Sequence, residues 1–129
     1  VHDSPMRWTG GANIPAPIGR LRAARLNATW PLAELTVDEG RVRLRIRLVG
    51  ALWRRFGTGP LDRSAAEVAE VFPCRGRFGT GGVGIRTGAA GTSYFWTGEG
   101  AGVLEDCRRA GFTVTHQVRP ADYSAPPAA

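Results

Sequence analysis

At 129 residues, 43% of them apolar, the chain has the size of one domain and enough hydrophobic matter for a core. Its 17 basic residues are all arginine against 11 acidic ones, a net charge of +6, which leaves no lysine for a Schiff base or a phosphate-binding loop. Two cysteines and two histidines form neither a disulfide framework nor a metal-ligand spacing, so no cystine-stapled scaffold and no metal centre is expected.

Residues 1–17 are rich in Gly and Pro without a periodic pattern and read as an extended N-terminal arm, with Trp8 packing back on the domain. Arg20 to Trp30 reads as a strand with a bend or bulge near Arg25–Asn27, and Leu32 to Val37 as a second strand after Pro31. Asp38-Glu39-Gly40 is a turn signal.

Arg41 to Leu48 carries the clearest pattern. Val42, Leu44, Ile46 and Leu48 alternate with Arg41, Arg43, Arg45 and Arg47, so period two sends aliphatics to one face and guanidinium groups to the other. A two-residue turn at Glu39-Gly40 sets the register: Asp38 opposite Arg41, Val37 opposite Val42, Thr36 opposite Arg43, Leu35 opposite Leu44, Glu34 opposite Arg45. Every aliphatic pair then lies on one face, and Arg41 and Arg45 gain acidic neighbours.

Gly50 to Pro60 reads as a loop or single helical turn, in which Leu52, Trp53 and Phe56 have helical spacing beside Arg54 and Arg55. Ser64 and Glu67 form a capping-box pattern, read as a turn before a strand at Val68–Pro73. Arg75 to Thr80 is a loop. From Gly82 the pattern is strand, hairpin and strand ending in Tyr94-Phe95-Trp96, followed by one helix over about 99–110. Thr97 or Gly98 caps that helix, Val103, Leu104, Cys107 and Ala110 form its apolar face, and Arg108 and Arg109 suit its negative end. Gly111 supplies the left-handed residue after it, with Phe112 folding back on Cys107. Phe112 to Val118 alternates as a last edge strand, and 120–129 reads as a flexible tail. The expectation is a mainly β protein: an antiparallel, partly open barrel capped by one C-terminal helix, with Cys74 and Cys107 as buried thiols or, alternatively, a bridge.

Enzymatic signals are thin. Gly79 to Gly84 matches G-x-G-x-x-G, but strand alternation follows where the dinucleotide fingerprint needs a helix. Ser64, His116 and Asp62 make a triad only on paper, and Glu34, Glu67, Glu70 and Glu99 form no recognisable acid/base pair. Arg41–Arg47 has charge for nucleic acid but aliphatic rather than aromatic alternates, which disfavours that partner. No apolar run is long enough to span a membrane and no signal peptide is evident; with Val1 rather than Met at its start, the chain reads as a piece cut from something longer.

Several segments carry a resemblance: Gly19-Arg20-Leu21-Arg22-Ala23, Trp30-Pro31-Leu32-Ala33-Glu34-Leu35, Glu67 to Pro73, Gly82-Val83-Gly84-Ile85-Arg86 and Phe95-Trp96-Thr97. In this order, ahead of one helix ending in Gly-Phe, they resemble pleckstrin-homology-like domains, and more specifically small single-domain actinobacterial proteins. The resemblance covers most of 18–118 and implies, for a domain over 18–119, a barrel of about seven strands closed by a helix, with phosphoinositide, peptide or protein ligands. Arg20, Arg22, Arg43 and Arg45 approximate the basic motif of phosphoinositide-binding members without matching its loop.

The functional expectation is a non-enzymatic interaction module without cofactor, in the cytoplasm or at the cytoplasmic membrane face. Its candidate surface is Arg41, Arg43, Arg45 and Arg47 with Trp53, Arg54, Arg55 and Phe56, meeting a protein partner or an anionic membrane. The alternatives are a structural domain of a larger membrane-associated assembly and an enzyme with an unrecognised site.

Overall fold

The computed structural model describes residues 5–15, 25–46, 61–76, 79–88 and 91–123. In chain order they form β1 (Met6–Pro15), β2 (Arg25–Asp38), β3 (Arg41–Ile46), β4 (Leu61–Ser64), a 3-10 turn (Ala65–Glu67), β5 (Glu70–Arg75), β6 (Gly81–Arg86), β7 (Thr92–Trp96), α1 (Gly100–Arg109) and β8 (Arg119–Pro120). One sheet in the order β4-β3-β2-β1-β7-β6-β5-β8 curls into a half-barrel, and α1 packs on its concave face against β5 and β6. All ladders are antiparallel except β5 with β8.

The predicted β2–β3 register holds at all five pairs and extends to Ala33 opposite Ile46. Gly40 adopts the left-handed conformation of that turn, φ 69°. Val42, Leu44 and Ile46 are buried, and Arg41, Arg43 and Arg45 are exposed. The core joins Leu35, Val37, Val42, Leu44, Val71, Val83, Ile85 and Phe95 of the sheet to Val103, Leu104 and Cys107 of the helix. Each such side chain, fully buried, contributes about 1.5–3 kcal/mol.

The helix ends as its sequence implies. Gly111 has φ 97°, Phe112 N–H donates to Cys107 O at 3.0 Å, and Gly111 N–H donates to Arg108 O at 3.1 Å. Gly40 N–H donates to Ala110 O at 2.8 Å, so the β2–β3 turn satisfies a carbonyl left open at the helix end. At the other end Thr97 Oγ1 accepts from Glu99 N–H at 3.1 Å, while Glu99 itself occupies the N-cap position. Trp8 packs on Gly102, where a Cβ would lie 2.7 Å from the indole Cη2, and its Nε1 donates to Asp106 Oδ2 at 2.9 Å. Gly102, a poor helix former in the first turn of α1, is thus the seat of an indole ring.

Four expectations are corrected. Residues 6–15 of the predicted arm are an internal strand, paired with β2 on one side and β7 on the other. Its alternation, Trp8-x-Gly10-x-Ala12-x-Ile14, is hidden because Gly10 and Ala12 must be small: a Cβ at Gly10 would lie 2.9 Å from Phe95 Cζ. The two strands expected around Pro31 are one strand, β2, whose residues Thr29 to Leu32 bulge opposite the single residue Gly11, with a cis peptide between Trp30 and Pro31. Residues 112–118 form no edge strand. They run parallel to β5, with a single bridge between Val114 and Val71. Of the predicted tail, Pro120 to Tyr123 packs on the outer face of the sheet, where Ala121 N–H donates to Arg75 O at 2.8 Å. Arg47, Leu48 and 50–60, with Trp53, Arg54, Arg55 and Phe56, lie outside the described residues.

That C-terminal segment is held by Glu70. Its carboxylate accepts from Arg86 at 2.8 Å and pairs with Arg119, and Thr115 Oγ1 donates to it at 3.4 Å. The Arg86 bond first, then Arg119, hold the Glu70 carboxyl below the usual range against the opposing effect of burial. A lowered folded-state value means stabilisation that is complete above the ordinary glutamate range and lost as pH falls through Glu70's own titration. Glu70→Gln is therefore expected to cost about 1 kcal/mol at neutral pH and to flatten the stability profile below about pH 4, measured by denaturant titration across pH. A variant matching the parent at neutral pH would show that the clasp adds nothing.

Cys74 and Cys107 are both free and buried, Cys107 beneath the helix and Cys74 in a cluster on the opposite face. Burial pushes each thiol up to about 12, with Asp106 adding to the effect at Cys107. A thiol reagent at neutral pH is expected to label neither cysteine until the chain unfolds, as followed by mass spectrometry against a denatured control. Immediate labelling of either would place it outside the packed interior.

Candidate functional site

The chemistry-bearing geometry lies on the convex side of the sheet. In β7 Ser93 and Phe95 point into the core, while Tyr94 and Trp96 point outward. The alternation of β6 likewise sends Val83 and Ile85 inward and leaves Gly82 and Gly84 facing out. On this glycine floor a Cβ at Gly82 would lie 2.8 Å from Trp96 Cε3, one at Gly76 2.9 Å from Trp96 Cη2, and one at Gly84 2.7 Å from Phe72 Cε2. The G-x-G-x-x-G match is thus hairpin and strand; its last glycine, Gly84, and Gly82 at one of its variable positions clear space for aromatic rings rather than for a phosphate.

Phe72, Cys74 and Tyr94 form a second buried cluster, joined by Trp96, Ala121 and Tyr123. Tyr94 and Trp96 are parallel, with centroids 5.5 Å apart, and Tyr123 meets Tyr94 edge-on at 5.6 Å. Tyr94 Oη accepts from Asp122 N–H at 2.7 Å and donates to Asp122 O at 3.0 Å, which ties the C-terminal segment down. Burial, the largest influence on this phenol, raises it above its usual range. Arg25 lies against Tyr94 and Tyr123, 5.6 and 5.4 Å from their centroids, and donates to Asn13 Oδ1 and, at 2.6 Å, to Thr92 O.

Beside this cluster opens a cleft of about 800 Å³. Its aromatic lining is Trp30, Trp96 and Tyr123, and its polar lining is Asn13, Asn27, Thr29, Thr80 and Thr97. The bulge in β2 thrusts Trp30 outward until it is 71% exposed, the most exposed of the large hydrophobic side chains among the described residues.

The predicted arginine row is a separate feature. Arg41 pairs with Asp62 of β4, and Arg43 Nε lies 3.6 Å from the same carboxylate, whose titration the Arg41 hydrogen bond lowers. Arg45 is exposed, opposite Glu34. The pairing of Asp62 with Arg41 and Arg43 escapes notice in the sequence because β4 is four residues long and follows a stretch with no clear period. The paper triad is not assembled: Ser64 Oγ bonds Glu67 at 3.1 Å, Ser64 and Asp62 sit on β4 at one end of the strand order, and His116 is exposed beside β5 near the other. Among the described residues no group of three or more His, Cys, Asp or Glu is placed to hold a metal ion, and no helix is long and apolar enough to cross a membrane.

The fold and the cleft together describe a β half-barrel with a helix on its concave side and an aromatic cleft on its convex side. No protein-family model matches the chain, and no curated protein matches it.

Proposed function

We propose that this domain is a non-enzymatic binding module and that the cleft beside Trp30, Trp96 and Tyr123 is its ligand site. The observation that carries the reading is the aromatic lining of an open cleft in which Trp96 is seated against Gly76 and Gly82, so that it lies in place before any ligand arrives. Preformed concave sites that combine aromatic walls with a few polar groups are where small ligands and extended chains bind. Backbone amide shifts in a nuclear magnetic resonance screen against sugars, peptides, nucleosides and lipid headgroups test it. Shifts are expected at Gly11, Gly81, Thr97 and Gly98; hits that cluster elsewhere, or no hits, would refute it.

A second reading places an anionic membrane against the exposed row of Arg41, Arg43 and Arg45. Asp62 offsets part of that charge, so the attraction on this reading is weak and salt-sensitive. Co-sedimentation with acidic vesicles that is lost in the Arg43→Ala/Arg45→Ala double variant favours it; equal sedimentation of the two proteins removes it.

A further inference from the structure

The cleft can be read for the class of molecule it would hold, an inference that rests on its being the binding site. Among the described residues its lining carries no charged side chain. Arg25, beside the lining residues Asn13 and Tyr123, is engaged by Asn13, by the Thr92 carbonyl and by the rings of Tyr94 and Tyr123. Among the described residues, a phosphate-bearing or carboxylate-bearing ligand would therefore meet no cation placed to receive it. A cationic ligand would meet rings but no carboxylate.

The polar lining is made of amide and hydroxyl side chains, which both donate and accept. Asn13 Oδ1 already accepts from Arg25, which leaves its amide N–H groups to donate, and Thr97 Oγ1 already accepts from Glu99, which leaves its O–H to donate. Asn27 stands opposite Asn13 across the β1–β2 ladder, so two amides border the same cleft. A proline-rich segment offers this lining only carbonyl acceptors at its prolines, because proline has no N–H. Those carbonyls suit the remaining donors of Asn13 and Thr97, but the acceptor oxygens of Asn27 and Thr29 would lose water without gaining a donor, at a cost in binding.

A sugar hydroxyl both donates and accepts, and a pyranose ring has an apolar C–H face that lies flat on an indole or phenol. Trp30 on one wall, Trp96 on the floor and Tyr123 beside it present such surfaces to a cleft that falls within the size range of small-ligand sites and is large for one six-membered ring. We infer that the cleft binds a neutral glycan, with linked pyranose rings stacked on Trp30 and Trp96 and their hydroxyls held by Asn13, Asn27 and Thr97.

The test uses the whole chain and a panel of neutral hexasaccharides (gluco-, xylo- and chito-oligosaccharides), with an oligoproline peptide and a sulfated oligosaccharide as comparison ligands. Tryptophan emission and calorimetry are the readouts. At least one neutral hexasaccharide is expected to bind with little dependence on sodium chloride. Trp30→Ala, whose side chain is exposed and whose loss leaves the circular dichroism spectrum unchanged, weakens it at least about tenfold, and Arg43→Ala leaves it as it was. Preference for the oligoproline peptide, still lost in Trp30→Ala, would overturn the glycan assignment and leave the cleft as the binding site. Preference for the sulfated sugar with strong salt dependence would overturn the neutral-ligand argument. Silence from every ligand class would overturn both the glycan and the cleft.

Discussion

Gly82→Ala is expected to destabilise the domain by about 3 kcal/mol or more, read from the midpoint of a denaturant titration. The added methyl would collide with the Phe95 carbonyl oxygen, which is backbone, and would lie 2.8 Å from Trp96 Cε3. Neither neighbour can give way cheaply: the carbonyl is fixed in the β6–β7 ladder, and the indole is stacked on Tyr94. Gly98→Ala is the matched control. A Cβ there meets nothing within 4 Å, so a change within about 0.5 kcal/mol is expected. Equal effects at the two positions would mean that the glycines of β6 serve flexibility rather than ring packing. The same pair bears on the cleft, because a displaced Trp96 would remove its floor.

Phe95→Ala should cost about 3–5 kcal/mol, a large share of the 5–15 kcal/mol typical of a domain. Phe95 is fully buried and sits where β1, β6 and β7 meet: it pairs with Ala12 and Val83, and its ring fills the space left by Gly10. The residues that face it from β1, Gly10 and Ala12, are too short to fill the cavity. Arg43→Ala, on the exposed side of β3, should change stability by less than about 0.5 kcal/mol. If Phe95→Ala cost less than about 1 kcal/mol, the concave face would not be the principal core.

The two substitutions fall on opposite sides of the sheet, and the sequence is unequally legible on those sides. The concave core was readable where alternation is strong, as at Val42, Leu44 and Ile46, or where a helical face is short and clean, as at Val103, Leu104 and Cys107. The convex cluster was not. Its members Arg25, Phe72, Trp96 and Tyr123 are brought together by sheet order rather than by spacing. One local sign was available: in Tyr94-Phe95-Trp96 large rings point to both faces, which requires a partner layer on each. Trp30 carried no sign at all, because its exposure follows from the bulge opposite Gly11.

What the amino-acid order determined by itself was local: the β2–β3 turn and register, the direction of the arginine row, and the helix with its Gly111 stop. Each is settled by period, turn geometry or capping within about a dozen residues, so neighbours in sequence are enough. Tertiary structure alone decided that residues 6–15 lie inside the sheet, that Asp62 sits beside Arg41 and Arg43, that residues 120–123 are fastened to Tyr94, and that a cleft opens beside Trp30. Those outcomes depend on side chains far apart in the chain competing for the same space. A glycine tells of such a neighbour only once the ring that lies over it has been placed.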